Sequence, residues 1–153
     1  MSYSQIIRKQ LIRTDINKLW DFMSSPKNLK KITPSYMQFN ITSKNSNKEM
    51  YAGMILSYKV TPLLNYPLEW VTEITHIKEK VFFVDEQRIG PYKMWHHEHI
   101  FEIKKDGILM TDIITYIPPF GLLGRVANQL FIKRRINEIF DYRENVLNQT
   151  FNI

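Results

Sequence analysis

One predicted β-hairpin constrains the fold of this chain more than any other stretch. Asp106-Gly107 separates two long runs that are rich in apolar residues, and an Asp-Gly pair in that setting is a strong signal for a tight hairpin turn. We expect this pair to be the two loop residues. Counting back from that loop, the predicted register places Phe101 opposite Asp112, His99 opposite Ile114, and His97 opposite Tyr116.

The two faces of this hairpin differ in chemistry. Side chains alternate along a strand, so residues two positions apart share a face. One face carries Trp95, His97, His99 and Phe101 with Asp112, Ile114 and Tyr116. The other carries Met94, His96, Glu98 and Ile100 with Thr111, Ile113 and Thr115. Which of the two is buried decides which side chains are available to a ligand.

Composition indicates one globular domain over residues 1–153. Apolar residues make up 44% of the chain and aromatic residues 13%, enough for a substantial core. No apolar run approaches the roughly 20 residues of a membrane span, and the N-terminus lacks a secretory signal pattern. The absence of cysteine excludes disulfides and thiolate metal sites, and it favours a cytoplasmic location. The net charge of +6 is modest and is consistent with a soluble protein.

The order of predicted elements is that of an α+β protein. A strand at residues 4–12 precedes two short helices, and about six strands with short links follow, one of them ending in a turn at residues 76–80. Residues 121–150 then form one long helical segment. Its apolar stripe includes Leu123, Val126, Leu130, Phe131, Ile136, Ile139, Phe140 and Leu147. The charged residues, Arg135 and Arg143 among them, are expected mostly on the opposite side.

Several segments together resemble a known superfamily over nearly the whole chain. They are Leu19-Trp20-Asp21-Phe22, Pro67-Leu68-Glu69-Trp70, Trp95-His96-His97-Glu98-His99-Ile100-Phe101 and Tyr116-Ile117-Pro118-Pro119. With the element order, they resemble the START-like (SRPBCC) superfamily, which includes the birch pollen allergens (Bet v 1-like proteins) and polyketide cyclases. The resemblance is to its small, stand-alone bacterial branch of ligand-binding proteins.

This resemblance implies a helix-grip fold. In that fold a curved antiparallel sheet of about seven strands, with two short helices, wraps around the long C-terminal helix and leaves an elongated pocket. The hairpin face with Trp95 and His97 is then expected to line the pocket. The expected ligand-binding residues are Tyr58, Trp70, Asp85, Gln87, Trp95, His97, His99, Phe101, Asp112, Ile114 and Tyr116. For Asp85 and Gln87, an equal alternative is a cap on the turn near Gly90.

Two histidines and a carboxylate on this face could form either a structural network or a reactive site. His97 and His99 project side by side, and Asp112 is near His99 in the predicted register. The simpler hypothesis is a buried hydrogen-bonded network that also contacts the ligand, because buried polar groups need partners. The alternative is a divalent metal site or an acid/base pair, for which His97, His99 and Asp112 are the candidate catalytic residues. We therefore predict no firm catalytic residue, no cofactor and no metal.

Three functions remain open from the sequence. The first is binding of a hydrophobic or aromatic small molecule that is lipid-like, polyketide-like or quinone-like. The second is an enzyme of the cyclase/aromatase or dehydratase type. The third is a module that binds a macromolecule through a basic helix face around Arg134 and Arg135, although no nucleic-acid motif is present and no nucleic acid is expected. The expected assembly is a monomer or weak dimer.

Overall fold

A computed structural model describes residues 3–44, 48–61 and 66–151, and it contains one antiparallel sheet with helices packed on one face. The strands are β1 Ser4–Ile12, β2 Asn40–Ile41, β3 Met54–Val60, β4 Leu68–Lys78, β5 Phe82–Ile89, β6 Met94–Lys104 and β7 Gly107–Ile117. The helices are α1 Ile16–Met23, α2 Pro26–Leu29, α3 Gly121–Ala127 and α4 Lys133–Phe151, with a 3₁₀ turn at Ser35–Met37. Strand β4 runs to Lys78, so the turn predicted at residues 76–80 is confined to its last two positions.

The seven strands lie in the order β1-β7-β6-β5-β4-β3-β2, and every neighbouring pair is antiparallel. The chain therefore winds as a meander from β2 to β7, and β1 closes against β7. This arrangement places the β6–β7 hairpin inside the sheet, with β5 on one side and β1 on the other. Its buried face is the one that carries His97 and His99, as the sequence predicts. We call this the inner face of the sheet.

The hairpin register differs from the predicted one by two residues. Lys104 pairs with Gly107, His99 with Asp112 and His97 with Ile114, so the loop is Lys105-Asp106. Gly107 belongs to β7, and a Cβ there would lie 2.3 Å from the carbonyl oxygen of Ile12 in β1. The glycine thus serves a close approach between strands rather than the turn itself. A shift of two positions leaves each side chain on its predicted face.

Helix α1 fixes the N-terminal end of the core. The Asp15 carboxylate caps it by accepting a hydrogen bond from the backbone N–H of Lys18 at 3.0 Å. Leu19, Trp20 and Met23 recur at helical spacing and are all buried. Trp20 lies edge-on to the rings of Phe83 and Phe101. This contact closes one end of the space between the helices and the sheet.

The C-terminal helical segment is long, as predicted, but it is interrupted by a π-turn at Asn128–Ile132. Asn128 is anchored there, because its Oδ1 accepts from Tyr116 Oη at 2.8 Å and its Nδ2 donates to Ser4 Oγ at 3.0 Å. After this turn, α4 packs on the inner face and buries Ile136 and Phe140. The described residues contain no helix long and apolar enough to cross a bilayer.

The predicted apolar stripe holds only for the second half of this segment. Leu123, Val126 and Leu130 were expected to face the core, yet they are 77%, 51% and 72% exposed. The reason is geometric: α3 contacts mainly the turn that follows it, so it has little neighbouring structure to cover its apolar side chains. In the second half, Ile136, Phe140 and Leu147 are buried as predicted, and Ile139 is half-buried.

Candidate functional site

An internal cavity of about 240 Å³ lies between the inner face of the sheet and helix α4. Its wall is mainly apolar, with Leu56, Tyr58 and Trp70 from the sheet and Ile136 and Ile139 from the helix. These side chains come from alternate positions of β3 and β4 and from one face of α4. An apolar wall with a few polar groups is typical of small-molecule pockets.

Three aromatic rings form one part of the wall. Trp70 and Trp95 meet edge to face with centroids 5.4 Å apart, and Tyr92 lies 4.8 Å from Trp95 and 5.8 Å from Trp70. Gln87 holds Tyr92 in place, because its Nε2 donates to the Tyr92 carbonyl at 2.6 Å and its Oε1 accepts from the Tyr92 N–H at 3.2 Å. Gln87 therefore stabilises the turn after β5, which is the alternative that the sequence left open for it.

Four ionisable side chains form a compact group on the inner face, which we call the His–Asp cluster: Asp85, His97, His99 and Asp112. His97 Nε2 donates to Asp112 Oδ1 at 2.9 Å, and His99 Nε2 donates to Asp85 Oδ2 at 2.7 Å. The two imidazole rings lie side by side, tilted by 36°, with centroids 3.7 Å apart. Phe83 stacks on His99 at 4.0 Å, and Phe140 meets His97 edge-on at 5.4 Å. Apolar rings thus enclose the cluster on both sides.

Arg143 is a buried cation beside this cluster. Its Nη1 lies 3.7 Å from Asp112 Oδ1, and its guanidinium lies over the Phe140 ring at 4.7 Å. Among the described residues, its Nε and Nη1 have no hydrogen-bond partner. The sequence-based expectation that Arg143 lies on the solvent side of the helix is therefore wrong. Position 143 follows Ile136 by seven residues and Phe140 by three, and this spacing alone identifies it as inward-facing.

The pKa values within the cluster are shifted in opposite directions. Burial, together with the charge of His99, lowers the pKa of His97 to about 4. Burial also lowers the pKa of His99, but its contacts with Asp112 and Asp85 outweigh that effect and raise it overall. Burial raises the pKa of both carboxyl groups, and the two imidazoles more than reverse this, so both pKa values fall below their usual range. In mildly acidic solution, His97 is therefore neutral and His99 is charged.

The structure separates the sequence-predicted site residues into two groups. Tyr58, Trp70, Asp85, Trp95, His97 and His99 line the cavity. Gln87, Phe101, Asp112, Ile114 and Tyr116 do not line it. Asp112 lies behind the imidazoles and accepts a hydrogen bond from His97. Phe101 packs in the core near Trp20, and Ile114 and Tyr116 pack against buried residues of α4. The inner face is therefore only partly a cavity wall.

Sequence reasoning missed Tyr92 and Arg143 as residues of the cavity wall. Phe140 lines the cavity as a member of the apolar stripe, which the resemblance places against the pocket, although it is not among the individually named ligand-binding residues. The signal for Tyr92 is its position directly after Gly90-Pro91, a turn that returns the chain toward the sheet. Its pKa is raised because the phenol is buried in the wall.

The basic helix face is partly compensated by acidic side chains. Arg134 Nε and Arg135 Nη1 each donate to the Glu138 carboxylate at 3.1 Å. Arg135 also lies over the Tyr36 ring at 4.5 Å and contributes to the cavity wall. The two arginines share one carboxylate, so Glu138 offsets one of the positive charges that suggested macromolecule binding.

Comparison with known proteins identifies the fold. No protein-family model and no curated protein matches the sequence. Among solved structures, TTHA0849 from Thermus thermophilus matches with a TM-score of 0.72 and 11% identity, over 96% of this chain and 99% of that chain. Ara h 8.0201 matches with a TM-score of 0.63 and 11% identity, over 97% and 99% of the two chains. Major latex-like protein 151 from Panax ginseng matches with a TM-score of 0.59 and 16% identity, over 88% and 95%.

At sequence identities of 16% or less, these structural matches establish a shared fold. The Ara h 8 and ginseng proteins are Bet v 1-like. The seven-stranded antiparallel sheet and the long C-terminal helix of this chain are those of the same architecture. The chain therefore has the helix-grip fold that the resemblance predicts, which is also the fold of Bet v 1-like proteins.

Proposed function

We propose that this protein binds a compact, ring-containing hydrophobic molecule in the cavity between the sheet and α4. The observation that carries the proposal is an apolar space of about 240 Å³ inside an otherwise closely packed domain. The space is partly open to solvent, so its apolar wall is hydrated when no ligand is bound, and a hydrophobic ligand gains affinity by removing that wall from water.

The size of the cavity narrows the class of ligand. An apolar cavity of roughly 150 Å³ holds a benzene molecule, so this cavity has room for one or two fused rings. The flat walls made by Trp70, Tyr92 and Trp95 suit such rings, because aromatic pairs prefer offset or edge-on contact. Of the three ligand types that the sequence leaves open, a polyketide-like or quinone-like ring system fits better than an extended lipid chain.

The His–Asp cluster gives the cavity one polar wall. Asp85, His97 and His99 reach the cavity, so a hydroxyl or carbonyl group on the ligand has hydrogen-bonding partners there. The rest of the wall is largely apolar and contributes affinity through burial of the rings. The ligand is then oriented with its polar group toward β5 and β6.

Filling the cavity tests this proposal. Ile139 lines the cavity, whereas Ile103 is 72% exposed near the hairpin turn, so the same change to tryptophan can be made inside and outside. Native mass spectrometry of the purified protein should show a bound small molecule in the wild type and in Ile103→Trp, and none in Ile139→Trp. Binding of 2-naphthol, a two-ring probe, monitored by its fluorescence, should follow the same order. Equal binding by both variants would contradict the proposal.

A second candidate function is acid/base catalysis of the cyclase or dehydratase kind. One observation favours it: two adjacent imidazoles at the cavity have pKa values shifted in opposite directions, which suits a base and an acid acting together. The ligand recovered by mass spectrometry provides the assay. Conversion of that ligand by the wild type but not by His97→Gln, with retained binding, would establish catalysis. An unchanged ligand after long incubation would exclude it.

A further inference from the structure

One buried carboxylate contacts both imidazoles of the His–Asp cluster from the same side. Asp112 Oδ1 lies 2.9 Å from His97 Nε2 and 3.0 Å from His99 Nδ1. Asp112 is 3% exposed and does not line the cavity. A carboxylate that touches the rear nitrogen of a histidine fixes the orientation of the ring and raises the basicity of its other nitrogen. Asp112 does this for His97 through a hydrogen bond, and it lies in close ionic contact with His99 Nδ1, which has no hydrogen-bond partner among the described residues.

The other two ring nitrogens converge on the cavity side. His97 Nδ1 and His99 Nε2 lie 3.6 and 2.7 Å from the same oxygen of Asp85. All three ligand atoms are within 4.8 Å of one another. Ligand atoms around an ion with bonds of about 2.0–2.1 Å are separated by roughly 3 to 4 Å, so small side-chain movements suffice to enclose one. His99 Nε2 donates its hydrogen to Asp85, whereas His97 Nδ1 at 3.6 Å is beyond hydrogen-bond distance, and an ion between the three groups would contact all of them.

We propose that Asp85, His97 and His99 bind a divalent first-row transition metal ion, and that Asp112 holds the two imidazoles in position. Imidazole nitrogen with one carboxylate oxygen suits Zn²⁺ and Fe²⁺ rather than Mg²⁺ or Ca²⁺, which prefer oxygen ligands throughout. Three protein ligands leave at least one coordination position free, and that position faces the cavity. An ion there is accessible to the polar group of a molecule in the cavity.

This assignment changes the roles expected from the sequence. The sequence grouped His97 and His99 with Asp112 as the possible metal ligands. In the structure the third ligand atom near the two imidazoles on the cavity side belongs to Asp85 instead. The assignment does not depend on the proposed ligand-binding function, because the three groups converge whether or not the cavity is occupied.

Titration of metal-stripped wild-type protein tests the site directly. Zn²⁺ should bind with about one equivalent per chain in calorimetry, and Co²⁺ should produce visible absorption bands of a low-symmetry site with nitrogen ligands. Zn²⁺ should also raise the melting temperature, because the folded state alone presents the three ligands together. Failure of both ions to bind at sub-millimolar concentration overturns the proposal.

Adjacent histidines provide a matched control. His96 lies next to His97 but on the outer face, where it contacts Glu86 at 2.7 Å and Glu98 at 3.7 Å. His97→Gln and Asp85→Asn should weaken binding of Zn²⁺ by at least about 100-fold, and Asp112→Asn by about 10- to 100-fold. His96→Gln should leave binding unchanged. Loss of binding in His96→Gln alone would assign the ion to the outer surface and overturn the proposal.

Discussion

His99 lies directly opposite Asp112 in the β6–β7 ladder, and its Nδ1 is 3.0 Å from the oxygen that also accepts a hydrogen bond from His97. Removing this charge takes away the carboxylate that lies beside both His99 and the buried Arg143 guanidinium, and breaking a buried charge pair in this way costs about 3–5 kcal/mol. We therefore expect Asp112→Asn to lower the free energy of unfolding by that amount in urea denaturation. The outer-face variant Glu86→Gln breaks only half-exposed contacts and should change it by about 1 kcal/mol or less. Equal effects of the two variants would contradict a central role for Asp112.

Gly107 is expected to be intolerant of a side chain. A Cβ there meets the backbone carbonyl of Ile12 at 2.3 Å, so strands β1 and β7 would have to separate. Gly107→Ala should therefore destabilise the protein more than Gly121→Ala, where the space is open and only the left-handed backbone conformation opposes alanine, at about 1–2 kcal/mol. Thermal unfolding of the two variants gives the comparison, and a larger loss for Gly121→Ala would refute the close approach.

The two halves of the C-terminal helical segment should respond differently to the same substitution. Leu147 is fully buried, so Leu147→Ala should cost about 2–5 kcal/mol through lost burial and a new cavity. Leu130 is 72% exposed, so Leu130→Ala should change stability by no more than about 0.5 kcal/mol. Urea denaturation measures both. A large loss for Leu130→Ala would show that α3 and the π-turn pack more tightly than the structure indicates.

Tyr116 should control the ordering of the π-turn. Tyr116→Phe removes the hydroxyl that donates to Asn128, and the buried Asn128 then keeps only Ser4 as a side-chain partner. We expect a loss of about 1–3 kcal/mol and faster amide hydrogen exchange in Asn128–Ile132. Tyr142→Phe, which removes a more exposed hydroxyl, is the control and should leave exchange there unchanged. Unaltered exchange in Tyr116→Phe would refute the anchoring role.

The sequence predicts the fold well because its strongest signals are periodic. Alternation in the β6–β7 hairpin identifies the buried face correctly, and the even size of the register error leaves that result intact. Alternation cannot distinguish a loop at Lys105-Asp106 from one at the next position along the chain, since the difference depends on how close Gly107 comes to β1. Alternation along the strands therefore cannot by itself predict the pairing of His99 with Asp112.

Site residues from distant parts of the chain were harder to predict. Asp85 and His99 are 14 positions apart on neighbouring strands, and their contact follows from the pairing of β5 with β6. Arg143 was misplaced because its charge was given more weight than its helical spacing. The exposed side chains of α3 show the converse error, since an apolar stripe predicts burial only where another element is present to cover it.

The two-residue loop at Lys105-Asp106 has a consequence for the insertions that such a protein can tolerate. Inserting two residues in the turn would shift β7 by two places along β6. All inner-face side chains would still point inward, so hydrophobic burial hardly opposes such an insertion. Such an insertion replaces the pairing of His99 and Asp112 with a pairing of His99 and Met110, and it places Asp112 opposite His97. His99 would then lose the carboxylate directly opposite it. Selection on the length of this turn therefore depends on the buried polar groups, because burial of the apolar core alone would tolerate a two-residue change of register.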